Sequence, residues 1–211
     1  SAYRINDTGG SRLENGTWIR YDENGQRTNG IVLDYYDRSV YVYEDGFPVT
    51  GRVLVDYQLA DFSSFGKYLQ TRYDYTGWFL QDGYWYYISE GIACYNWAYL
   101  NGVWYYLDPQ SCQMVTGWRW IDGKWYYFSA SGAMATGWRL VNGKWYYMES
   151  SGAMRTGWIW LDGKWYYLDG SGAMQTGWVW TGGKWYYLYK DGSMAANTVI
   201  DGYYLNSQGT Y

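Results

Sequence analysis

The chain has 211 residues and a formal net charge of −4, a length that allows one or two ordinary domains. Its 50 aromatic residues (Phe, Trp, Tyr) outnumber its 32 branched aliphatic residues (Ile, Leu, Val), so we expect it to bury its apolar surface differently from a usual aliphatic core. The 28 glycines, 2 prolines and 17% charged residues are typical of neither a disordered nor a collagen-like chain. No run of about 18 apolar residues occurs, so we expect no membrane span.

The residues that are missing exclude several classes of active site. The sequence contains no histidine, which excludes Ser-His-Asp and Cys-His catalysis and His-ligated zinc. The negative charge and the absence of a Lys/Arg cluster argue against a nucleic acid partner. Cys94 and Cys112 cannot form a four-cysteine metal site, and either a disulfide or two buried thiols would fit them. No carboxylate pair recurs as in glycosidases, so we predict a non-catalytic protein without a cofactor.

Hairpin signals begin in the first 75 residues, where they are degenerate. Asn15-Gly16 has the form of a two-residue turn, and residues 40–51 repeat an order of strand, loop and Thr-Gly. At the position where later copies carry a tryptophan, these two copies carry Ile31 and Arg52. We therefore predict that residues 1–75 form a degenerate, repeat-like N-terminal region that binds little ligand.

The repeat becomes regular after this region, whereas residues 52–75 contain no turn that we can place. Two looser copies occupy residues 76–115, and four consecutive copies of 20 residues occupy residues 116–195. The first of the four reads TGWRWIDGKWYYFSASGAMA, and every copy has two tryptophans seven residues apart. A half repeat without its tryptophan follows and is expected to cap the array. The second predicted region is therefore a repeat array over residues 76–211.

Each copy carries the signal of a β-hairpin. Two aromatic runs are separated by Asn-Gly, Asp-Gly or Gly-Gly, which tolerate the positive φ angles of a type I′ turn. These turns are predicted at 82–83, 101–102, 122–123, 142–143, 162–163, 182–183 and 201–202. A single 20-residue hairpin cannot bury its apolar face, so successive hairpins must stack. The predicted fold is an all-β solenoid of stacked β-hairpins whose core is a column of aromatic rings.

Strand alternation sorts the rings of each hairpin into two faces. In the first regular copy, Trp118 and Trp120 share a face of one strand, while Trp125 and Tyr127 share a face of the other. Rings that are not used in the core can converge on a partly open hollow between hairpins. Such π-faces suit a quaternary ammonium ion, because a primary ammonium would require hydrogen-bond acceptors. Three further tryptophans are interpreted as packing residues: Trp120, Trp160 and Trp180.

The pattern GWxxxxGKWYYLxxxGxM resembles the choline-binding repeat of cell-wall proteins from Gram-positive bacteria and their phages. The copies at 116–195 match it nearly without departure and those at 76–115 with small insertions, roughly two thirds of the chain in all. The resemblance implies a secreted protein of the bacterial cell surface with a left-handed solenoid. Choline of teichoic or lipoteichoic acid would dock between consecutive hairpins, in a cage of two Trp from one repeat, a Tyr from the next and often a Met.

Carried over by motif position, the resemblance implies six cages. Their members are Trp78 and Trp85 with Tyr106, Trp97 and Trp104 with Tyr127, Trp118 and Trp125 with Tyr147, Trp138 and Trp145 with Tyr167, Trp158 and Trp165 with Tyr187, and Trp178 and Trp185 with Tyr204. The implied methionines are Met134, Met154, Met174 and Met194, whereas Ala93 takes this place before Trp97. The motif leaves open which Tyr of each Trp-Tyr-Tyr run closes the cage, and the second is assigned here.

Three classes of function fit the sequence. The first is a non-catalytic cell-wall anchor that recognises choline. The second is a carbohydrate-binding module, because Trp faces also stack on sugar rings and related repeats bind glucans. The third is a structural spacer or a protein-binding surface. Retention of both Trp residues and the Met favours choline, and several weak sites on one array would add avidity in either binding case.

Overall fold

The fold is all-β and is built from stacked β-hairpins, as the sequence predicts. The computed structural model describes residues 10–33 and 39–211, so residues 1–9 and 34–38 of the predicted N-terminal region lie outside the described residues. The described residues form 23 short strands, and none belongs to a helix that could span a membrane. The chain divides into two compact units: unit 1 comprises residues 1–98 and 106–114, and unit 2 comprises residues 99–105 and 115–211.

Strands β1 to β13 occupy the N-terminal half of the chain. Their bounds are β1 Gly10–Glu14, β2 Thr17–Tyr21, β3 Gly30–Leu33, β4 Val40–Glu44, β5 Phe47–Pro48, β6 Gly51–Val55, β7 Gln58–Phe62, β8 Tyr68–Thr71, β9 Gly77–Gln81, β10 Tyr84–Ser89, β11 Ile92–Ala93, β12 Asn96–Leu100 and β13 Val103–Leu107. Strands β1–β2 form one hairpin and β3–β4–β5 a three-stranded sheet. A six-stranded sheet follows the order β6-β7-β11-β10-β9, and β8 also pairs with β7.

Strands β14 to β23 belong to unit 2 and form five separate two-stranded hairpins. Their bounds are β14 Gly117–Ile121, β15 Lys124–Phe128, β16 Gly137–Val141, β17 Lys144–Met148, β18 Gly157–Leu161, β19 Lys164–Leu168, β20 Gly177–Thr181, β21 Lys184–Leu188, β22 Thr198–Ile200 and β23 Tyr203–Leu205. In the four complete hairpins the register is the same, for example Trp118 opposite Tyr127 and Trp120 opposite Trp125.

The hairpin turns are where the sequence predicts them. Asp122 and Gly123 have φ angles of 47° and 81°, and both positions are likewise positive in the other six predicted turns. This is the backbone of a type I′ turn, which twists in the same sense as the paired strands. One turn has no sequence signal: Asp56 and Tyr57, with φ angles of 47° and 64°, connect β6 to β7 within residues 52–75. A tyrosine rarely adopts this conformation, so the sequence does not reveal the turn.

In unit 2, the loop that follows one hairpin is hydrogen-bonded to the preceding hairpin. Met154, which follows β17, donates its backbone N–H to the carbonyl oxygen of Trp125 in β15 (2.8 Å). The same bond recurs from Met174 to Trp145 and from Met194 to Trp165. Its donor and acceptor are 29 residues apart each time. These bonds give unit 2 the regular stacking of a hairpin solenoid.

The largest fully buried side chains of unit 2 belong to the residue after each Trp-Tyr-Tyr or Tyr-Tyr run and form a buried column. The prediction that the core is a column of aromatic rings is wrong at these positions, because only one of the five is aromatic. These side chains have 0% exposure: Phe128, Met148, Leu168, Leu188 and Leu205. In the four complete hairpins each lies opposite a glycine, as Leu168 does opposite Gly157, so no side chain competes for that space. The larger Trp rings do not reach full burial, as is usual for Trp.

Trp120, Trp160 and Trp180, interpreted from the sequence as packing residues, pack at the surface and not in the core. Trp120 lies 5.4 Å from Trp125, and the other two lie against Trp165 and Trp185 in the same way. The side chains of Trp120, Trp160 and Trp180 are 55%, 56% and 58% exposed. Each lies one residue from the strand end at the hairpin turn. Leu140 occupies the equivalent position of the remaining hairpin and is 57% exposed, so this position is a surface position in all four.

The two cysteines are free thiols that lie in the interior of unit 1. Cys112 is buried in a cluster with Leu59, Ile88 and Ala93, and Cys94 is half-buried. Burial raises the pKa of both thiols, and the proximity of Cys94 raises that of Cys112 further. Of the two alternatives for this pair, the structure has the reduced thiols, which act as small apolar core residues.

Candidate functional site: aromatic corners between hairpins

The site is built from the two faces of each hairpin in unit 2. Directly opposed residues of an antiparallel pair point to the same face, so Trp118, Trp125 and Tyr127 share one face. Tyr126 points to the other face. In the stack, the Trp face of one hairpin therefore meets the opposite face of the next hairpin.

Two tryptophans and one tyrosine meet at each junction and form what we call a corner cluster. The ring centroids of Trp118 and Trp125 are 6.5 Å apart with planes at 89°, and the ring of Tyr146 from the next hairpin lies 4.8 Å from Trp118. The same geometry recurs twice. The second cluster consists of Trp138, Trp145 and Tyr166, and the third of Trp158, Trp165 and Tyr186.

The three corner clusters have nearly the same ring distances and ring angles. The Trp–Trp centroid distances are 6.5, 6.5 and 6.4 Å and the interplanar angles are 89°, 87° and 89°. The Trp–Tyr distances across the junction are 4.8, 5.2 and 4.7 Å. The second Trp of each cluster, such as Trp125 at 42% exposure, is open to solvent. Each cluster is therefore a set of π-faces accessible from one side.

The tyrosine that crosses each junction is the first of the Trp-Tyr-Tyr run, whereas motif position assigned the second. Tyr147 lies on the Trp face of its own hairpin, with its ring 5.3 Å from Trp138. Tyr167, Tyr187 and Tyr127 are placed in the same way against Trp158, Trp178 and Trp118. Alternation explains this, because the residue before each of them points to the preceding hairpin.

The last junction forms a variant that we call the terminal cluster. Trp178 and Trp185 line a cavity of about 430 Å³ together with Tyr203 and Tyr211. Tyr203 is 5.8 Å from Trp178 and 4.7 Å from Tyr211, whereas Tyr204, which motif position assigned here, points away and is 58% exposed. Tyr211 donates its backbone N–H to the Trp185 carbonyl oxygen, so it takes the place that a Met holds in the other repeats.

Comparisons with known proteins agree with this architecture. A family model described as the choline-binding repeat matches residues 115–156 and 155–199, and a model of a cell wall binding repeat matches residues 76–90 and 96–110. The chain is 30% identical to choline binding protein F of Streptococcus pneumoniae, crystallised in the presence of a peptidoglycan analogue. That match covers 92% of this chain and 75% of the other, with a TM-score of 0.66. The chain belongs to the choline-binding repeat family.

Two further structures from Streptococcus pneumoniae show the extent of the likeness. The choline-binding domain of CbpL is 27% identical, with 97% of each chain covered and a TM-score of 0.56. The modular autolysin LytC, in complex with a synthetic peptidoglycan ligand, is 29% identical over 81% of this chain and 39% of its own, with a TM-score of 0.52. No curated protein sequence matches the chain. The repeats and their aromatic clusters mark this protein as a cell-wall choline-binding module.

The methionines of the choline-binding repeats connect consecutive loops. The thioether of Met134 fills the space where Gly152, in the next loop, would carry a Cβ. Met154, Met174 and Met194 lie in the same way against Gly172, Gly192 and Gly209. These side chains are half-buried, and the backbones of Met154, Met174 and Met194 lie beside the second Trp of a corner cluster. Their visible role is to fix the spacing of the loops beside each cluster.

In the two looser repeats the predicted aromatic residues pack in the same way within their own hairpins. Trp78 lies 5.3 Å from Tyr87, and Trp97 lies 5.0 Å from Tyr106. Tyr106, which motif position assigned to the cage of Trp78 and Trp85, is thus packed on its own hairpin and buried. Trp85 and Trp104 are more than two-fifths exposed, like their counterparts in the regular repeats.

At the position of the first Trp of a cluster, the degenerate repeats have a different residue, for example Arg52. Arg52 lies opposite Asp61 in the β6–β7 hairpin, at the place where Trp118 lies opposite Tyr127. The two side chains form an ion pair (2.8 Å), and Asp61 also pairs with Arg72 (2.9 Å). Hydrogen bonds from Arg52 and Arg72 hold the pKa of Asp61 well below its usual range. A network of opposite charges thus replaces the aromatic rings there.

The described part of the chain has no arrangement suited to metal chemistry. No group of three or more His, Cys, Asp or Glu side chains in residues 10–33 and 39–211 could hold a metal ion. The groups that converge at the corner clusters are aromatic rings.

Proposed function

We propose that the protein is a non-catalytic cell-wall anchor whose corner clusters bind the choline groups of teichoic or lipoteichoic acid at the bacterial surface. The observation that supports this is the repeated corner, in which two Trp rings at right angles meet a Tyr ring from the next hairpin. The three complete corner clusters and the terminal cluster would each accept one choline. The cages use Tyr146, Tyr166, Tyr186 and Tyr203 as their tyrosines.

The chemistry of the rings favours a quaternary ammonium ion. A cation over one exposed ring gains about 0.5–1 kcal/mol, and about 2 kcal/mol or more when it loses its water. A trimethylammonium group has methyl groups on all its outer faces, so it loses no hydrogen bond when three rings surround it. A primary ammonium would leave its donors unpaired among the rings. The same cage therefore distinguishes choline from an amine of similar size.

Several weak sites on one array together give a high overall affinity. Teichoic acids are polymers, so neighbouring clusters of unit 2 would engage neighbouring choline groups on one chain. The second contact then takes place at a high effective concentration, which raises overall affinity by a factor of about 10²–10⁴ without a new contact. An anchor built in this way needs no catalytic group of its own.

A choline titration followed by tryptophan indole resonances in ¹H–¹⁵N spectra tests the proposal. Choline at millimolar concentration should shift the indole signals of Trp138 and Trp145 along a saturable curve. The double variant Trp138→Ala, Trp145→Ala should lose one site and leave the remaining sites in place. No change of any cluster tryptophan with choline would contradict the proposal.

Two controls make this result specific. Trp120→Leu changes an exposed tryptophan that is not a cluster member to the residue found at position 140. Trp120 packs on Trp125 of the first cluster, so the control is read at the second cluster, where the choline response of Trp138 and Trp145 should equal that of the wild type. Pull-down on teichoic acid that carries choline should succeed, whereas the same polymer with ethanolamine in place of choline should retain little protein. Equal retention on both polymers would exclude choline as the recognised group.

A further inference from the structure

The terminal cluster differs from the three corner clusters in having a carboxylate bonded to one of its rings. The indole Nε1–H of Trp178 donates a hydrogen bond to Oδ2 of Asp201 (3.0 Å). Asp201 is the first residue of the turn between β22 and β23. Among the residues that the structure describes, the corresponding indoles of Trp118, Trp138 and Trp158 donate no hydrogen bond to a carboxylate.

The length of the last hairpin explains this bond. Strands β22 and β23 have three residues each, whereas the strands of the four complete hairpins have five. Asp201 therefore precedes the closing Tyr203 by two residues, while the turn residue Asp162 precedes Tyr166 of the second corner cluster by four. At about 3.3 Å per strand residue, the terminal turn begins about 7 Å nearer to its cluster. The shorter hairpin thus brings a turn aspartate to the edge of the first Trp.

The rings of the terminal cluster are also farther apart. The centroid of Tyr203 lies 5.8 Å from that of Trp178, compared with 4.8, 5.2 and 4.7 Å for the corresponding pairs of the corner clusters. Together with Trp185 and Tyr211 these rings line a cavity of about 430 Å³. Because the attraction between a cation and a ring falls off beyond about 6 Å, rings spread in this way hold a cation less closely. The carboxylate of Asp201 supplies an attraction that the corner clusters lack.

A carboxylate at this place strengthens the cluster for a cation in two ways. Its charge attracts a positive group above the face of Trp178 through space, and this attraction is modest because Asp201 is exposed. The hydrogen bond from the indole N–H to an anion also increases the electron density of the ring, so its π-face becomes more negative. Neither effect acts on a neutral ligand of the same shape. Asp201 should therefore change the preference for charge and leave the fit of the shape unchanged.

We propose that Asp201 is a specificity-determining residue, whose carboxylate makes the terminal cluster the most selective of the four clusters for the positive charge of its ligand. The inference rests on the proposed function, since it takes the terminal cluster as a choline site. The corner clusters would recognise a quaternary ammonium with rings alone, whereas the terminal cluster adds an opposite charge to its rings. The end of the array would then discriminate most strongly between a choline group and an uncharged group of the polymer.

Titrations of the whole chain with choline and with 3,3-dimethylbutan-1-ol, its uncharged analogue of the same shape, test this role at the Trp178 indole signal. That signal is assigned from its absence in Trp178→Phe. Asp201→Asn keeps a hydrogen-bond acceptor for the indole and creates an Asn-Gly turn, the pair that residues 142–143 use in the same array. The variant should bind choline about three- to fivefold more weakly at the terminal cluster, the effect of one exposed charge. Its affinity for the alcohol should stay within about 1.5-fold of the wild type.

Asp162→Asn is the matched control, because it makes the same change in a turn whose aspartate, in the described structure, is not bonded to Trp138. The choline affinity read at Trp138 should stay within about 1.5-fold of the wild type. Salt provides a second readout, since a charge effect is screened and the shape of the cage is not. At about 1 M salt, where the Debye length is about 3 Å, the difference between the wild type and Asp201→Asn should fall to less than about twofold.

The remaining outcomes would overturn the inference. Equal weakening of choline and the alcohol in Asp201→Asn would make Asp201 a residue that only positions Trp178. An unchanged choline affinity in Asp201→Asn, or no response of Trp178 while Trp138 responds to choline, would overturn the inference and leave the choline role of the corner clusters intact. No response of either Trp138 or Trp178 to choline would contradict the proposed function as well.

Discussion

Trp118 and Trp125 lie on opposite strands of one hairpin with their ring planes at 89° and their centroids 6.5 Å apart. The seven-residue spacing creates this corner, because a two-residue turn places the two rings on the same face without placing them directly opposite each other. Tyr146 from the next hairpin then lies against Trp118. A corner cluster is thus completed only when two hairpins stack, so the binding proposed for it would depend on the integrity of the solenoid.

The identity of the closing tyrosine can be tested directly. We expect Tyr146→Ala to weaken choline at the first corner cluster by about tenfold, since it removes one of three rings. Tyr147→Ala should leave the choline response of Trp118 unchanged, because Tyr147 packs on Trp138 in its own hairpin. The measurement is the choline-dependent shift of the Trp118 indole signal in both variants. The reverse pattern would assign the cage to Tyr147.

The spacing between consecutive loops depends on the glycine at position 152. Gly152 has a φ angle of 84° and its missing Cβ makes room for Met134, so Gly152→Ala should lower the free energy of unfolding by about 1–3 kcal/mol. Gly170→Ala is the matched control, because a Cβ at Gly170 meets nothing within 4 Å. Thermal unfolding of both variants checks this. Equal melting temperatures for the two would contradict the Met–Gly contact.

The buried column should dominate the stability of unit 2. Leu168 is fully buried, so Leu168→Ala should cost about 2–5 kcal/mol in the free energy of unfolding. Leu140→Ala removes the same atoms from an exposed position and should change stability by no more than about 0.5 kcal/mol. Urea unfolding of the two variants provides the comparison. A small effect at Leu168 would show that the aromatic rings, and not this column, carry the stability.

The charge network of unit 1 should make its stability depend on acid. The pKa of Asp61 is lowered in the folded state by Arg52 and Arg72, so the unfolded chain binds its proton more readily. This contribution is present above the ordinary Asp pKa of about 3.9 and is lost as pH falls below it. Asp61→Asn should therefore destabilise unit 1 at pH 7 by about 1 kcal/mol. The difference from the wild type should shrink as pH falls below about 4, and a constant difference would contradict the assignment.

Much of the fold follows from the sequence because its signals are local. Asp122-Gly123 and the equivalent pairs specify type I′ turns on their own, and a fixed period forces the hairpins to stack. The Asp56-Tyr57 turn escaped prediction because Tyr57 adopts a positive φ that its residue type disfavours. The buried column was not predicted from the sequence because its members, from Phe128 to Leu205, share a position in the repeat and not a residue type.

The site was predictable only in part, for a geometric reason. The spacing of Trp118 and Trp125 reveals that they share a face, but it does not reveal which face of the next hairpin they meet. That choice decides between Tyr146 and Tyr147, and it depends on how the hairpins stack.

We propose that the corner clusters recognise the positive charge of choline with aromatic faces alone. The most direct test is calorimetric titration of the whole chain with choline and with 3,3-dimethylbutan-1-ol, which has the same shape without the charge. We predict saturable binding of choline and an affinity at least about tenfold lower for the neutral alcohol, since cation–π attraction is lost. Equal affinities for the two compounds would show that the clusters are apolar pockets, and would contradict the assignment of choline recognition to them.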